Sequence, residues 1–267
     1  MRYKLIACDM DGTLLNEDSA LSERNKQAII KAVDAGVMFV VATGRPFGNA
    51  QIVNDIITKN MPFIVLNGAE AYMCKTEELL FERFLDFDLA IEAFELGQKL
   101  GVSQIVWTGP RLWANSEHEK TTGYKSRANS PDMTIVEDLA TIKDEVKGIS
   151  KVLWIDDPEN IKKLSAEMSA YFEDRLTCAS SMPPYLEFIG NNAGKGPALE
   201  EIGKHFNIDR SDMIAIGDNF NDICMLKYAG FSVAVDNAED EIKAVCDYVT
   251  VSNDDDAVAE VIEKFVL

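Results

Sequence analysis

IACDMDGTLL, Ile6 to Leu15, sets two aspartates two residues apart at the end of an apolar run. Tyr3, Leu5, Ile6, Ala7 and Cys8 read as a short buried strand that Gly12 brings to an end. In an extended chain, residues i and i+2 point the same way. Asp9 and Asp11 are therefore expected to crowd one spot just past the strand. Carboxylates that close repel, and one tends to hold a proton unless a cation offsets the charge. The rest of the sequence should supply that cation or the means to bind it.

Outward from this stretch the chain alternates strand and helix. A helix is expected from an N-cap at Ser22 to Gly36. VMFVVAT, 37–43, is a continuous apolar strand of the kind found when both faces of a sheet are covered. A helix from about Phe47 to Asn60 and the strand FIVLN, 63–67, follow. The last third returns to the rhythm. GPALEEIGKHFN is helical, MIAIGD (213–218) a strand and NDICMLKYAG a helix, and FSVAVD, EIKAVC, YVTV and AVAEVIEKFV continue the alternation. This predicts an α/β fold, a Rossmann-like parallel sheet with helices on both faces.

The middle breaks the pattern. ELLFERFL, SQIVWTG and RLWAN look like antiparallel strands, with Gly109-Pro110 as a turn. DLAIEAFELGQKLG is an amphipathic helix. KVLWIDD, a helix from Pro158 to about Phe172, and strands near LTCASS and YLEFIG complete the block. The expected organisation is a discontinuous core, 1–82 and 191–267, with an inserted α+β domain over 83–190.

Composition narrows the function. The chain has 267 residues, 47% of them hydrophobic, so it can bury a large core. A net charge of −19 makes nucleic acid and anionic membranes poor partners. Five scattered cysteines without a CxxC pair suggest reduced thiols in a cytoplasmic protein. Neither a signal peptide nor a membrane span is expected. The expected assembly is a monomer or homodimer.

Ligands of open α/β sheets bind outside the carboxyl ends of the strands. Polar residues collect there: Asp9 and Asp11; Thr43, Gly44 and Arg45; Asn67; and Asp218, Asn221 and Asp222. Lys195 lies at the start of a helix opened by Gly194-Lys195-Gly196, with Pro197 near its first position. Converging carboxylates suit Mg2+ with several waters retained. A lysine, a threonine and glycine-flanked amides suit a phosphate dianion. A carboxylate beside both can attack phosphorus.

DMDGTLL, ATGR, GKG and GDNFND, in this order, resemble the haloacid dehalogenase superfamily of phosphohydrolases. The insert between LNGA and GKG is similar to the large cap of its Cof-type (subclass IIB) sugar-phosphatase branch. The resemblance spans Lys4 to Phe265. It implies Asp9 as nucleophile and Asp11 as general acid/base. Met10 and Gly12 (through their backbone), Thr43, Gly44, Lys195 and Asn221 would bind phosphate. Asp9, Asp11 (by its carbonyl), Asp218 and Asp222 would bind Mg2+. Arg45 and Asn67 are candidates for substrate contact. The implied activity is Mg2+-dependent hydrolysis of a small phosphorylated metabolite, a sugar phosphate, through an aspartyl-phosphate, with the cap closing over the site. The alternatives are a hexose-phosphate mutase of phosphomannomutase type, for which Arg111, Lys120, Lys125 and Arg127 could hold a second phosphate, and a receiver-like phosphate-binding protein.

Overall fold

The computed structural model describes residues 3–54, 59–109, 111–127 and 132–267. These form two compact units, Met1–Phe81 with Gly194–Leu267, and Glu82–Ala193.

The first unit begins with β1 (Leu5–Asp9), α1 (Glu23–Asp34), β2 (Met38–Ala42), α2 (Phe47–Ala50), β3 (Pro62–Val65), β4 (Glu70–Met73) and β5 (Leu79–Glu82). The second unit contains α3 (Phe87–Leu100), β6 (Ser103–Thr108), β7 (Arg111–Ala114), α4 (Glu119–Arg127), β8 (Met133–Ile135), β9 (Lys151–Ile155), α5 (Pro158–Phe172), β10 (Thr177–Ala179) and β11 (Tyr185–Ile189). The chain then returns to the first unit with α6 (Lys195–Phe206), β12 (Met213–Gly217), α7 (Ile223–Tyr228), β13 (Phe231–Ala234), α8 (Asp240–Lys243), β14 (Tyr248–Val249) and α9 (Ala257–Phe265).

The core sheet has eight strands in the order β14-β13-β12-β1-β2-β3-β4-β5. From β14 to β3 the neighbours are parallel. β1 is fully buried and sits where the strand order reverses, with β2 and β3 on one side and β12 to β14 on the other. Its register sets Asp9 beside Ala42 and Cys8 beside Ile216. Helices cover both faces: α1 packs with α9, and α6 with α7. An apolar sequence such as LIACD is stable only with both faces covered in this way. Ser22 caps α1 by accepting a hydrogen bond from the Asn25 amide at 3.1 Å, as its position suggests.

The sheet departs from expectation at one edge. EAYM, not read as a strand, is β4, and it runs antiparallel to β3. Leu79–Glu82, read with the middle strands as part of ELLFERFL but inside the expected core boundary at 82, is β5 of the core sheet. The reversal follows from a tight turn. Leu66, Asn67 and Gly68 have φ of 48°, 56° and 90°, so the chain doubles back directly into β4. The helix expected over 47–60 is the short α2 followed by a 3₁₀ turn at Gln51–Val53. Its continuation through 55–58 lies outside the described residues.

The inserted unit is a six-stranded sheet, β10-β11-β9-β6-β7-β8. β6 and β7 are antiparallel as expected, whereas β7 and β8 are parallel. Gly109 opens the turn between β6 and β7 at φ 63°, and Pro110 lies outside the described residues. α3 and α5 contribute Phe94, Leu164 and Phe172 to a separate apolar core with Val152, Trp154 and Phe188 of the sheet. Trp107, Trp113 and Trp154 are all buried. Among the described residues no helix is long and apolar enough to cross a membrane.

Candidate active site

The site assembles at the carboxyl end of β1. The side chain of Asp9, the last residue of the strand, is buried. Lys195, the first residue of α6, is fully buried, and its Nζ donates to Asp9 Oδ1 and, at 2.6 Å, to Asp222 Oδ1. Close packing of glycine backbone brings it there. A Cβ on Gly68 would lie 2.2 Å from the Gly194 carbonyl oxygen, and one on Gly196 would lie 2.5 Å from that of Cys224. Pro197 is the third residue of α6, within the first turn, where the helix has no partner for a backbone amide and its absence costs nothing.

Asp222 is held on both sides. Its Oδ1 faces Lys195, and its Oδ2 accepts from the amides of Asp218 and Asn219 at 3.1 Å each. It closes a capping box with Asn219, so the cap-like look of GDNFND and its place beside the lysine are one arrangement. Asp218 follows β12 and accepts from the Thr13 hydroxyl at 2.7 Å. Gly12, at φ 79°, passes so near Asp218 that a Cβ would meet its Oδ2 at 2.6 Å.

Asp9, Asp218 and Asp222 each offer a carboxylate oxygen within 4.8 Å of the others. Burial, then the Asp222 charge, pushes the Asp9 carboxyl well above the usual carboxylate range, although Lys195 pulls the other way. Burial, then Asp222, raises Asp218 to about 6. Burial acts to lower the Lys195 ammonium, but Asp222 and Asp9 outweigh it, and its pKa is raised. Three carboxylates against one ammonium leave two negative charges, which a divalent cation offsets. Asp222 is engaged through both oxygens, and the carboxyls of Asp9 and Asp218 share a hydrogen bond that a bound cation would replace. Few protein ligands and several retained waters suit Mg2+.

The Asp11 carboxylate is not in this cluster. A turn begins at Met10, so the extended spacing that would aim Asp9 and Asp11 together does not hold. Asp11 is about half exposed and forms a bidentate pair with Arg45, at 2.9 Å from Nε and 2.5 Å from Nη2. Its backbone carbonyl is what it has left for a metal. Arg45, a candidate substrate contact, is thus already committed to Asp11. Thr43 is buried, and its hydroxyl oxygen accepts from the Arg45 amide at 3.1 Å, which leaves its own O–H to donate to a phosphate. Asn221 donates through Nδ2 to Asn67 Oδ1 at 2.9 Å, so these two stand together. Met10 and Gly12 lie in the loop after β1, and Gly44 follows Thr43. Lys120, one of four basic residues considered for a second phosphate, is paired with Asp156 and Asp157. The side chain of Arg127 lies outside the described residues.

Sequence reasoning passed over Thr13, Asn237 and Asn253. Thr13 stands inside the DMDGTLL stretch itself, so its link to Asp218 was within reach. The two asparagines bond the same loop from more than 220 residues away, and nothing local marks them.

A model of the haloacid dehalogenase-like hydrolases matches residues 6–262. YxeH of Bacillus subtilis, described as a phosphatase, is 31% identical over 269 residues, covering 99% of both chains. The 5-amino-6-(5-phospho-D-ribitylamino)uracil phosphatase YcsE of the same organism is 30% identical over 264 residues, covering 99% of this chain and 96% of its own. The crystal structure of a haloacid dehalogenase-like hydrolase from Bacteroides thetaiotaomicron superposes with a TM-score of 0.82 at 27% identity, covering 98% of this chain and 99% of that one. With a buried lysine set between two acids at a strand end of this fold, the chain belongs to the haloacid dehalogenase-like hydrolases and is a phosphatase.

Proposed function

We propose that the chain hydrolyses small phosphorylated metabolites of the sugar-phosphate class, with Mg2+, through a phosphoryl group carried on Asp9. The observation that carries this reading is Lys195, fully buried and shared between Asp9 and Asp222. A buried ammonium between two acids fixes a nucleophilic carboxylate and marks where a phosphate dianion is neutralised.

Asp9, Asp218 and the Asp11 carbonyl would hold Mg2+, with Asp222 acting through water. The ion would lower the charge density of the acids and polarise the phosphoryl oxygens. Lys195, the Thr43 hydroxyl and the amides of Met10 and Gly12 bind the remaining phosphoryl oxygens. The Asp9 oxygen not turned to the ion would attack phosphorus, exchanging its Lys195 contact for the new P–O bond, and the ester P–O bond breaks. Asp11, parted from Arg45 and protonated, gives the leaving oxygen its proton. Water then attacks phosphorus and gives a proton to Asp11, which releases inorganic phosphate and restores the Asp9 carboxylate. Asn67 and Asn221, bonded to each other, flank the phosphate.

The metabolite class is supported by YcsE, whose named substrate is a phosphorylated ribityl compound, a polyol phosphate. A net charge of −19 disfavours nucleic acid as substrate, and the five cysteines, all free, fit a cytoplasmic protein.

Phosphate release from a panel of sugar, polyol and nucleotide phosphates, with Mg2+ and with EDTA, tests the substrate class and the metal together. Borohydride added during turnover should reduce an acyl phosphate at residue 9 to homoserine, detectable as a mass change in the peptide containing Cys8. Turnover without that mass change would exclude Asp9 as the phosphoryl carrier. A phosphorylated Asp9 without steady release would favour the mutase.

A further inference from the structure

The loop that follows Asp9 is bonded from outside by a second segment, distant in sequence. Asn237, just past β13, donates through Nδ2 to the Gly12 carbonyl at 2.8 Å, and its Oδ1 accepts from the Asn253 amide at 3.0 Å. Asn253 is buried and donates through its own Nδ2 to the Leu15 carbonyl at 2.9 Å. Asp254 accepts from the Glu17 amide at 3.0 Å. Asn253 and Asp254, in the acidic run NDDDAV, make three of these bonds. From the other side, buried Asn25 reaches the Leu14 carbonyl at 3.4 Å while accepting from the Ala259 amide at 2.8 Å.

Asparagine suits this work because one short side chain offers a donor and an acceptor together; aspartate offers acceptors only. The bond at Gly12 is the telling one. Gly12, at φ 79°, turns its carbonyl to Asn237. The next residue, Thr13, carries its hydroxyl to Asp218 at 2.7 Å. The peptide between them is thus fixed from the outer side by Asn237 and from the site side by Asp218.

We propose that Asn237 and Asn253 are positioning residues for turnover, a brace that sets the Gly12–Thr13 peptide and through Thr13 the Asp218 carboxylate. This rests on the reading of Asp9 and Asp218 as nucleophile and metal acid. Neither asparagine touches the reacting atoms in this scheme. Their effect runs through the loop, where a displacement of about 1 Å can cost about 100-fold in rate.

Asn237→Asp is the first test. It keeps the shape, removes the donor and places a carboxylate against the Gly12 carbonyl. Asn237→Ala removes the donor without adding charge and serves if the aspartate variant does not fold. Three quantities are read: hydrogen exchange of peptides covering residues 10–15, with no substrate present; kcat and KM for p-nitrophenyl phosphate; and the Mg2+ concentration for half-maximal rate. Expected are faster exchange in 10–15, kcat down by about 10- to 100-fold, KM within about 3-fold and a higher Mg2+ midpoint, with the alanine variant milder. Unchanged exchange would overturn the brace itself. Faster exchange with unchanged kcat and Mg2+ midpoint would make it a contact for folding only, and the proposal fails. Failure of the underlying reading looks different: Asp9→Asn would keep its turnover, or the parent would ignore EDTA, whatever the exchange shows.

Discussion

Replacing Gly12 by alanine separates backbone strain from site geometry. At φ 79°, a side chain costs about 1–2 kcal/mol wherever it is placed. At this position it also meets Asp218. The new Cβ would lie 2.6 Å from Oδ2, against 3.4 Å for ordinary contact, so the carboxylate must withdraw by roughly 0.8 Å. Asp218 is tethered by Thr13 at 2.7 Å and cannot retreat without breaking or rebuilding that bond. A displacement approaching 1 Å at a metal acid should lower kcat by about 10- to 100-fold and raise the Mg2+ midpoint. Gly36 supplies the control. Its φ is 97°, yet a Cβ there meets nothing within 4 Å. Gly36→Ala should lose about the same stability and none of the activity. The assay is phosphate release across a Mg2+ titration, beside thermal unfolding of both variants. Equal activity in the two variants would refute the argument, because strain alone would then account for Gly12.

Lys195→Met leaves Asp9 and Asp222 buried with no counter-charge, and should cost about 3–5 kcal/mol in urea unfolding in EDTA, with Mg2+ recovering part of the loss and none of the turnover. Asp9→Asn should abolish turnover while leaving a fully folded protein by circular dichroism; activity above a small fraction of the parent would move the nucleophile elsewhere. The pH dependence of metal-free stability carries a sign. The Asp218 carboxyl, raised from 3.8 to about 6, holds a proton in the folded chain that the unfolded chain has released. Across that window the folded state binds more protons, so this group's contribution to stability falls as pH rises from about 4 to 6, and the resulting penalty persists above it. The parent in EDTA should therefore lose thermal stability relative to Asp218→Asn over that interval, and Mg2+ should remove the difference; parallel curves would count against the raised carboxyl.

The residue types of the site, and the strands that carry them, were legible in one dimension. An apolar run ending in Asp9, a threonine after the second run and AIGD ending in Asp218 follow from the rule that buried parallel strands are apolar throughout and leave their polar groups at the carboxyl end. The interrupted alternation marked the insert for the same reason: a change of hydrophobic period is a local signal. Local signals failed where the backbone left regular structure. Asp9 and Asp11 obey an extended spacing on paper, but a turn at Met10 sends one carboxylate to Lys195 and the other to Arg45. EAYM was missed as a strand although Asn67-Gly68 is itself a turn signal; the reversal also needs left-handed backbone at Leu66, which a leucine does not announce.

The sequence by itself determined the α/β class, the strand ends and the set of charged groups, since these depend on hydrophobic period and residue chemistry over a few positions. Only the tertiary structure decided which charges meet. Lys195 lies 186 residues from Asp9, and Asn237 lies 225 from Gly12. Such contacts depend on how close two backbones can pack, which here is set by glycines at positions 12, 68 and 196 where a single methyl group would not fit.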